Sequence, residues 1–186
     1  MDYCIGVDLG GTNIAAGVVE LRSRRIVVKG SVKTNAPRPV EAISEDIVVL
    51  CKRLAGEVGV SLSDIKWIGV ATPGIVKDGL GITASNLGWD NADLSGNVSR
   101  LSGVKTYVAN DANVAAYAEA IWGSGEGSNS LIALTLGTGV GGGIVLNGKI
   151  WEGCNGFAAE IGHMIIMPDG ELCPCGNHGC LVRLLF

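Results

Sequence analysis

Three thiols and one imidazole fall close together toward the end of the chain: His163, then Cys173-Pro174-Cys175-Gly176-Asn177-His178-Gly179-Cys180. Three cysteines and a histidine make a complete Cys3His set, the composition of a closed structural zinc site. A bound Zn2+ ion and a group of unliganded thiols are both open readings. The spacing favours the ion, with His163 ahead of His178 as the fourth ligand. Four protein ligands leave no open position, so such a zinc would hold structure, fixing Glu160 and His163 in place.

Glycine supplies the second kind of chemistry. The chain has 29 glycines, and the densest runs are where backbone could close on a ligand. In Asp8-Leu9-Gly10-Gly11-Thr12-Asn13, the glycines let backbone N–H groups approach an anion, Thr12 offers a hydroxyl and Asp8 could hold a metal-bound water. A tight β-hairpin explains the same residues. The run is neither a dinucleotide fingerprint nor a P-loop, because a strand follows it and no lysine does. The stretch Leu134-Thr135-Leu136-Gly137-Thr138-Gly139-Val140-Gly141-Gly142-Gly143 repeats the logic with a denser glycine supply. Two such loops, each opening a pair of strands, suggest a clamp on a polyphosphate between two lobes.

The third set is Asn110-Asp111-Ala112-Asn113, at a strand end leading into a helix. Asn or Asp there suits a helix N-cap. A carboxylate at the C-terminal end of a strand also faces the crevice where α/β folds bind ligands, so Asp111 could take a proton from a hydroxyl nucleophile. Glu160 fits either a sugar hydroxyl or an ordinary surface pair.

These residues need elements to hold them. Residues 3–8, 14–20 and 25–33 read as a three-strand meander. From Val40 the positions Ile43, Ile47, Leu50, Leu54 and Val58 recur at helical spacing, ending near Gly59. Strands are expected at Trp67–Ala71, stopped by Thr72-Pro73-Gly74, and at Val104–Ala109; an Ala-rich helix is expected from Ala112 to Trp122. Gly123–Ser128 is small and polar and reads as a lobe boundary, giving a front lobe of residues 1–123 and the start of a second lobe over 124–186. Leu131–Leu136 and Gly143–Leu146 then reopen a strand–turn–strand pattern, a weak echo of the first lobe. The four tryptophans are dispersed, which points to core packing and not to a stacking platform.

Composition excludes several classes. At 186 residues and 47% hydrophobic content the chain is too apolar for disorder and long enough for one or two cores. A net charge of −4 with scattered cations offers no footprint for nucleic acid or an anionic membrane. No signal-like or spanning stretch follows Met1, so the expected compartment is the cytoplasm. Cys4 and Cys51 lie among apolar residues and are expected to be buried thiols, not disulfide partners.

In order, Asp8-Leu9-Gly10-Gly11-Thr12, Pro73-Gly74, Asn110-Asp111-Ala112-Asn113, Leu136 to Gly143, Glu160-Ile161-Gly162-His163 and Cys173 to Cys180 resemble the ROK family of sugar kinases, sugar-responsive repressors and related proteins. The last two motifs are specific to that family, whereas the phosphate loops are shared with the wider hexokinase, actin and heat-shock ATPase fold. The resemblance implies an α/β protein of two ribonuclease-H-like halves with mixed sheets. It implies ATP held as its Mg2+ complex by loops containing Asp8, Gly10, Gly11, Thr12 and Asn13 and containing Gly137, Thr138 and Gly139. Asp111 falls on the family's general base, and Asn110, Asp111, Glu160 and His163 on its sugar ligands, His163 also serving zinc. The implied activity is glucokinase-like phosphorylation of a hexose, with glucose at its 6-hydroxyl chosen on family frequency, and the implied assembly is a homodimer.

The chain departs from the pattern at Ala159, where the family has Gly, a change expected to be tolerated, and at Val182, where the family's kinases have a sugar-binding Glu. Family members also continue for a second-lobe completion and adenine pocket, so Leu184-Leu185-Phe186 is expected to be an uncovered apolar tail of a truncated, impaired kinase. The rival readings are a ROK regulator, weakened by a first strand that begins at residue 3 with no DNA-reading head before it, and a non-catalytic sugar-binding fragment.

Overall fold

The computed structural model describes residues 2–77, 81–137 and 139–185. By internal contacts the chain divides into two compact units, Met1–Asp111 and Ala112–Phe186. In chain order the first contains β1 (Tyr3–Leu9), β2 (Asn13–Glu20), β3 (Arg25–Lys33), α1 (Val40–Glu57), β4 (Ile65–Thr72), β5 (Ile75–Lys77), β6 (Gly81–Ala84), β7 (Trp89–Asp93), α2 (Leu94–Ser102) and β8 (Thr106–Asn110). The meander expected from the sequence is present: β1, β2 and β3 pair antiparallel. Two parallel strands extend it, giving a five-stranded sheet in the order β3-β2-β1-β4-β8.

Alternation sets which face is covered. Tyr3, Ile5, Val7 and Leu9 of β1 are buried while Gly6 and Asp8 between them face outward, and Ile14, Ala16 and Val18 of β2 join the buried set. Against that face lies the apolar stripe of α1, with Ile43, Ile47, Leu50 and Leu54 fully buried. Burying each such side chain contributes about 1.5–3 kcal/mol, far more than helix propensity does, so packing holds α1 in place. Cys51 lies in the same stripe, and burial pushes its thiol up to about 12. It is an inert core thiol, as expected.

The sequence reading passed over a second small sheet, β5-β6-β7, and the helix α2 that follows it. Gly74 makes the exit from β4 possible: it has φ of +88°, and a Cβ there would lie 2.4 Å from the Thr83 carbonyl oxygen. The side chain of Asp93 caps α2 by accepting from the Gly96 N–H at 2.7 Å.

The second unit takes up α3 (Asp111–Trp122) after its first residue and contains β9 (Leu131–Leu136), β10 (Val140–Leu146), β11 (Lys149–Ile150) and a short α4 (Val182–Leu185). The three strands pair antiparallel in the order β11-β10-β9. The Ala-rich helix, placed in the front lobe from sequence, thus shares its contacts with the second unit. Its C-terminus is tied down, since the Glu119 carboxylate accepts from the Ser124 N–H and hydroxyl, each at 2.8 Å. These bonds, the backbone one first, hold its pKa below the usual range.

Core packing was expected of all four tryptophans and holds for one. Trp89 is 7% exposed, whereas Trp67, Trp122 and Trp151 are 39%, 59% and 53% exposed. Trp89 differs because it starts a strand beneath α1 and donates its indole N–H to the Arg38 carbonyl at 2.8 Å. Leu184 and Leu185 are exposed, and Phe186 lies outside the described residues. Among the described residues, no helix is long and apolar enough to cross a membrane.

Candidate active site and metal centre

Within the first unit, the parallel strands carry the chemistry to one edge of the sheet. β1, β4 and β8 run in the same direction, with Asp8 opposite Ala71, Ala71 opposite Ala109, and Thr72 opposite Asn110. Asp8 and Ala109 are therefore about 10 Å apart across two strand spacings. The glycine loop leaves β1 at the same edge where Asn110 and Asp111 leave β8. This carboxyl edge is where open α/β sheets bind ligands.

The loop is a hairpin turn as well as a candidate anion cradle. Gly10 N–H donates to the Asn13 carbonyl at 2.9 Å, closing the turn, while Asp8, Thr12 and Asn13 are exposed and Gly10 and Gly11 half-buried. Sequence reasoning missed Thr34, whose buried hydroxyl closes on this loop; a lone threonine after a strand gives no signal of its own. Asn110 is half-buried, and its amide donates to the Gly74 carbonyl at 2.9 Å, fixing the strand end against the β4 exit. Asp111 is exposed and is the first residue of α3, directly after β8, so its carboxylate sits at a helix N-terminus.

In the second unit, Gly137 and Gly139 form the turn between β9 and β10, with Gly137 N–H donating to the Gly139 carbonyl at 3.0 Å. Thr138 lies outside the described residues. The glycines after them, which looked like extra phosphate-loop supply, lie inside β10 and serve packing. A Cβ on Gly143 would come within 2.3 Å of the Ala116 Cβ, so α3 lies directly on the strand. A Cβ on Gly142 would lie 2.4 Å from the Ala159 carbonyl oxygen, and one on Gly162 2.1 Å from that of Val140. That close approach seats a 3-10 turn, Ile161–His163, against β10, with Glu160 exposed at its start. Ala159 has φ of +68°, a left-handed conformation that suits glycine, and an alanine there costs about 1 kcal/mol.

The same turn delivers His163 to the cysteines. One ligand atom from each of His163, Cys173, Cys175 and Cys180 lies within 4.8 Å of all the others. Cys173 Sγ is 3.6 Å from His163 Nδ1, and Cys175 Sγ is 3.6 Å from Cys180 Sγ. A tetrahedral zinc with Zn–S of ~2.3 Å and Zn–N of ~2.0 Å requires S···S edges of ~3.8 Å and S···N edges of ~3.5 Å. The four residues fit that ion. His178 instead places its Nδ1 3.0 Å from the Gly170 carbonyl oxygen, outside the set. Charge in the cluster pulls two ways. The Asn177 N–H chiefly, with help from neighbouring groups, brings Cys175 down to about 7, while burial first and the adjacent thiols next push Cys180 up to about 12.

This topology and site define an α/β fold of the actin/hexokinase type with an added Cys3His cluster. The ROK family model matches residues 4–185, and the chain belongs to that family. A glucokinase of Halalkalibacterium halodurans is 40% identical over 96% of this chain and 55% of its own length, and the xylose repressor of Bacillus subtilis is 28% identical over 96% and 46%. The crystal structure of a ROK family glucokinase from Streptomyces griseus, in complex with glucose and AMPPNP, superposes with a TM-score of 0.82 at 39% identity, covering 97% of this chain and 56% of that one. The chain spans about half the length of the relatives it matches.

Proposed function

We propose that the chain carries the base and phosphate-loop machinery of an ATP-dependent hexose kinase, with glucose at its 6-hydroxyl as the preferred substrate. The observation that carries this reading is the shared carboxyl edge of β1, β4 and β8, where the Asp8–Asn13 loop and Asp111 leave one sheet. The glucose and AMPPNP bound by the Streptomyces griseus relative support the same pair of ligands here.

In this reading Asn110, Asp111, Glu160 and His163 hydrogen-bond the sugar. Asp111 accepts the proton of the primary hydroxyl as its oxygen attacks the γ-phosphorus; the bond from that phosphorus to the β–γ bridging oxygen breaks, and ADP leaves. Backbone N–H groups of Gly11 to Asn13 hold phosphate oxygens, with the Gly10 N–H closing the turn behind them, and the Gly137–Gly139 turn serves as the second phosphate loop. Asp8 is the carboxylate that would hold the hydrated Mg2+ of the nucleotide complex, whose charge would offset that of the phosphates. Positioning and electrostatics supply most of the acceleration. His163, Cys173, Cys175 and Cys180 would hold a structural zinc, and because Nδ1 of His163 faces Cys173 at 3.6 Å, its Nε2 would be the nitrogen left for the sugar.

A regulator that binds sugar without transferring phosphate is the second reading, supported by the xylose repressor's match over 96% of the chain. Calorimetric titration with glucose, mannose, fructose and N-acetylated hexoses tests the sugar site common to both readings. At least one hexose is expected to bind, and Glu160→Ala to weaken it about tenfold through loss of a charged hydrogen bond. No binding by any of them would refute the sugar site.

A further inference from the structure

The phosphate loop is gripped from behind by a residue that neither the motifs nor the mechanism uses. Thr34, the first residue after β3, is fully buried. Its hydroxyl donates to the Gly10 carbonyl at 2.6 Å, and its backbone N–H donates to the Thr12 carbonyl at 3.0 Å. The Thr34 carbonyl in turn accepts from Arg38 Nε at 2.9 Å, and Arg38 pairs with Asp46 of α1.

A trans peptide points its C=O and its N–H in opposite directions. Turning the Gly10 carbonyl toward Thr34 therefore turns the Gly11 N–H away from it, and anchoring the Thr12 carbonyl does the same for the Asn13 N–H. One buried threonine thus sets two peptide planes of the glycine loop at alternate positions, with both amides aimed off the side opposite its own. Gly10 and Gly11 carry no side chains that could fix the first of those planes, so an external anchor decides its orientation. An anion site made of backbone amides works only if the amides are aimed before the anion arrives.

We infer that Thr34 is a positioning residue for nucleotide phosphate, holding the Gly10–Asn13 loop with its Gly11 and Asn13 N–H groups turned away from Thr34, and that Arg38 braces it against α1. The inference rests on the nucleotide reading given above and adds to it a residue outside the loop. The role is selective, because Thr34 bonds the phosphate loop and not the strand end that bears Asn110 and Asp111.

The test is calorimetric titration of the full 186-residue chain with Mg2+-AMPPNP and, separately, with glucose. Thr34→Val removes only the hydroxyl bond and is expected to weaken AMPPNP about tenfold while leaving glucose affinity within about twofold. Thr34→Ser keeps the hydroxyl and is expected to restore wild-type nucleotide affinity. Arg38→Met, which removes a half-buried ion pair of the kind worth little to stability, is expected to weaken AMPPNP about threefold, so the inference stays testable if Thr34→Val does not fold. Unchanged AMPPNP binding in Thr34→Val, or in Arg38→Met where that variant stands in, overturns the inference alone. Parallel loss of AMPPNP and glucose overturns it in favour of a general structural role. A wild-type chain that binds glucose but no AMPPNP overturns the nucleotide reading of the loop, and the inference with it.

Discussion

Stripping zinc with a strong chelator, or replacing Cys180 with Ser, is expected to unfold the segment from Glu160 to Arg183 while the sheet of the first unit stays intact. That segment has almost no apolar core of its own. Cys173 and Cys180 are its buried side chains of this kind, whereas Met164, Ile165, Ile166, Met167 and Leu172 are all at least 47% exposed. Its backbone is held by short turns, such as Cys173 N–H to the Asn177 carbonyl at 2.7 Å, and by two isolated antiparallel bridges, Ile165 with Cys180 and Leu172 with His178, and not by a sheet. Structural zinc in small peptides contributes ~10–16 kcal/mol, so a bound ion would dominate local stability here. Hydrogen exchange should show amides of residues 160–183 exchanging at least ~100-fold faster without metal, while amides of β1 and α1 are unchanged. Metal analysis of protein purified without chelator should give about one zinc per chain. Metal-free protein with an exchange pattern insensitive to chelator would remove the zinc assignment.

Asp111→Asn is expected to lower the rate of hexose phosphorylation by ~10²–10⁴, the usual worth of a positioned general base. Asparagine keeps the shape and the helix-start position but cannot accept a proton. The sugar is expected to bind within about tenfold of wild type, since the amide still hydrogen-bonds a hydroxyl. That split between transfer and binding separates the two functional readings. A kinase loses turnover and keeps sugar, whereas a regulator shows no turnover to lose. Equal turnover in Asp111→Asn and wild type would remove Asp111 from the base role.

Much of this was legible in the sequence because the signals were local and redundant. The stripe at Ile43, Ile47, Leu50 and Leu54 could only be one face of a helix, and the structure buries all four. The Cys3His set was readable from residue type and spacing, and it closes within 4.8 Å. What escaped detection was short or depended on distant partners. β5, β6 and β7 are 3, 4 and 5 residues long, too brief for a period-two pattern to register. α2 holds Ser95, Gly96, Asn97, Ser99 and Ser102, poor helix formers that its Asp93 cap and the burial of Leu94 and Val98 override. Gly141, Gly142 and Gly143 looked like ligand-binding glycine because a sequence does not show that Ala116 and Ala159 will press against that strand. Thr34 was silent for the same reason: its partners lie 24 and 22 residues away, at Gly10 and Thr12.

The most direct measurement is nuclear magnetic resonance identification of the product after incubating the chain with glucose and Mg2+-ATP. The account predicts a sugar phosphate ester at the 6-position, formed with ADP in equal amount and absent from the Asp111→Asn reaction. Unconsumed ATP, or ATP converted only to ADP and orthophosphate with the sugar unchanged, would contradict it.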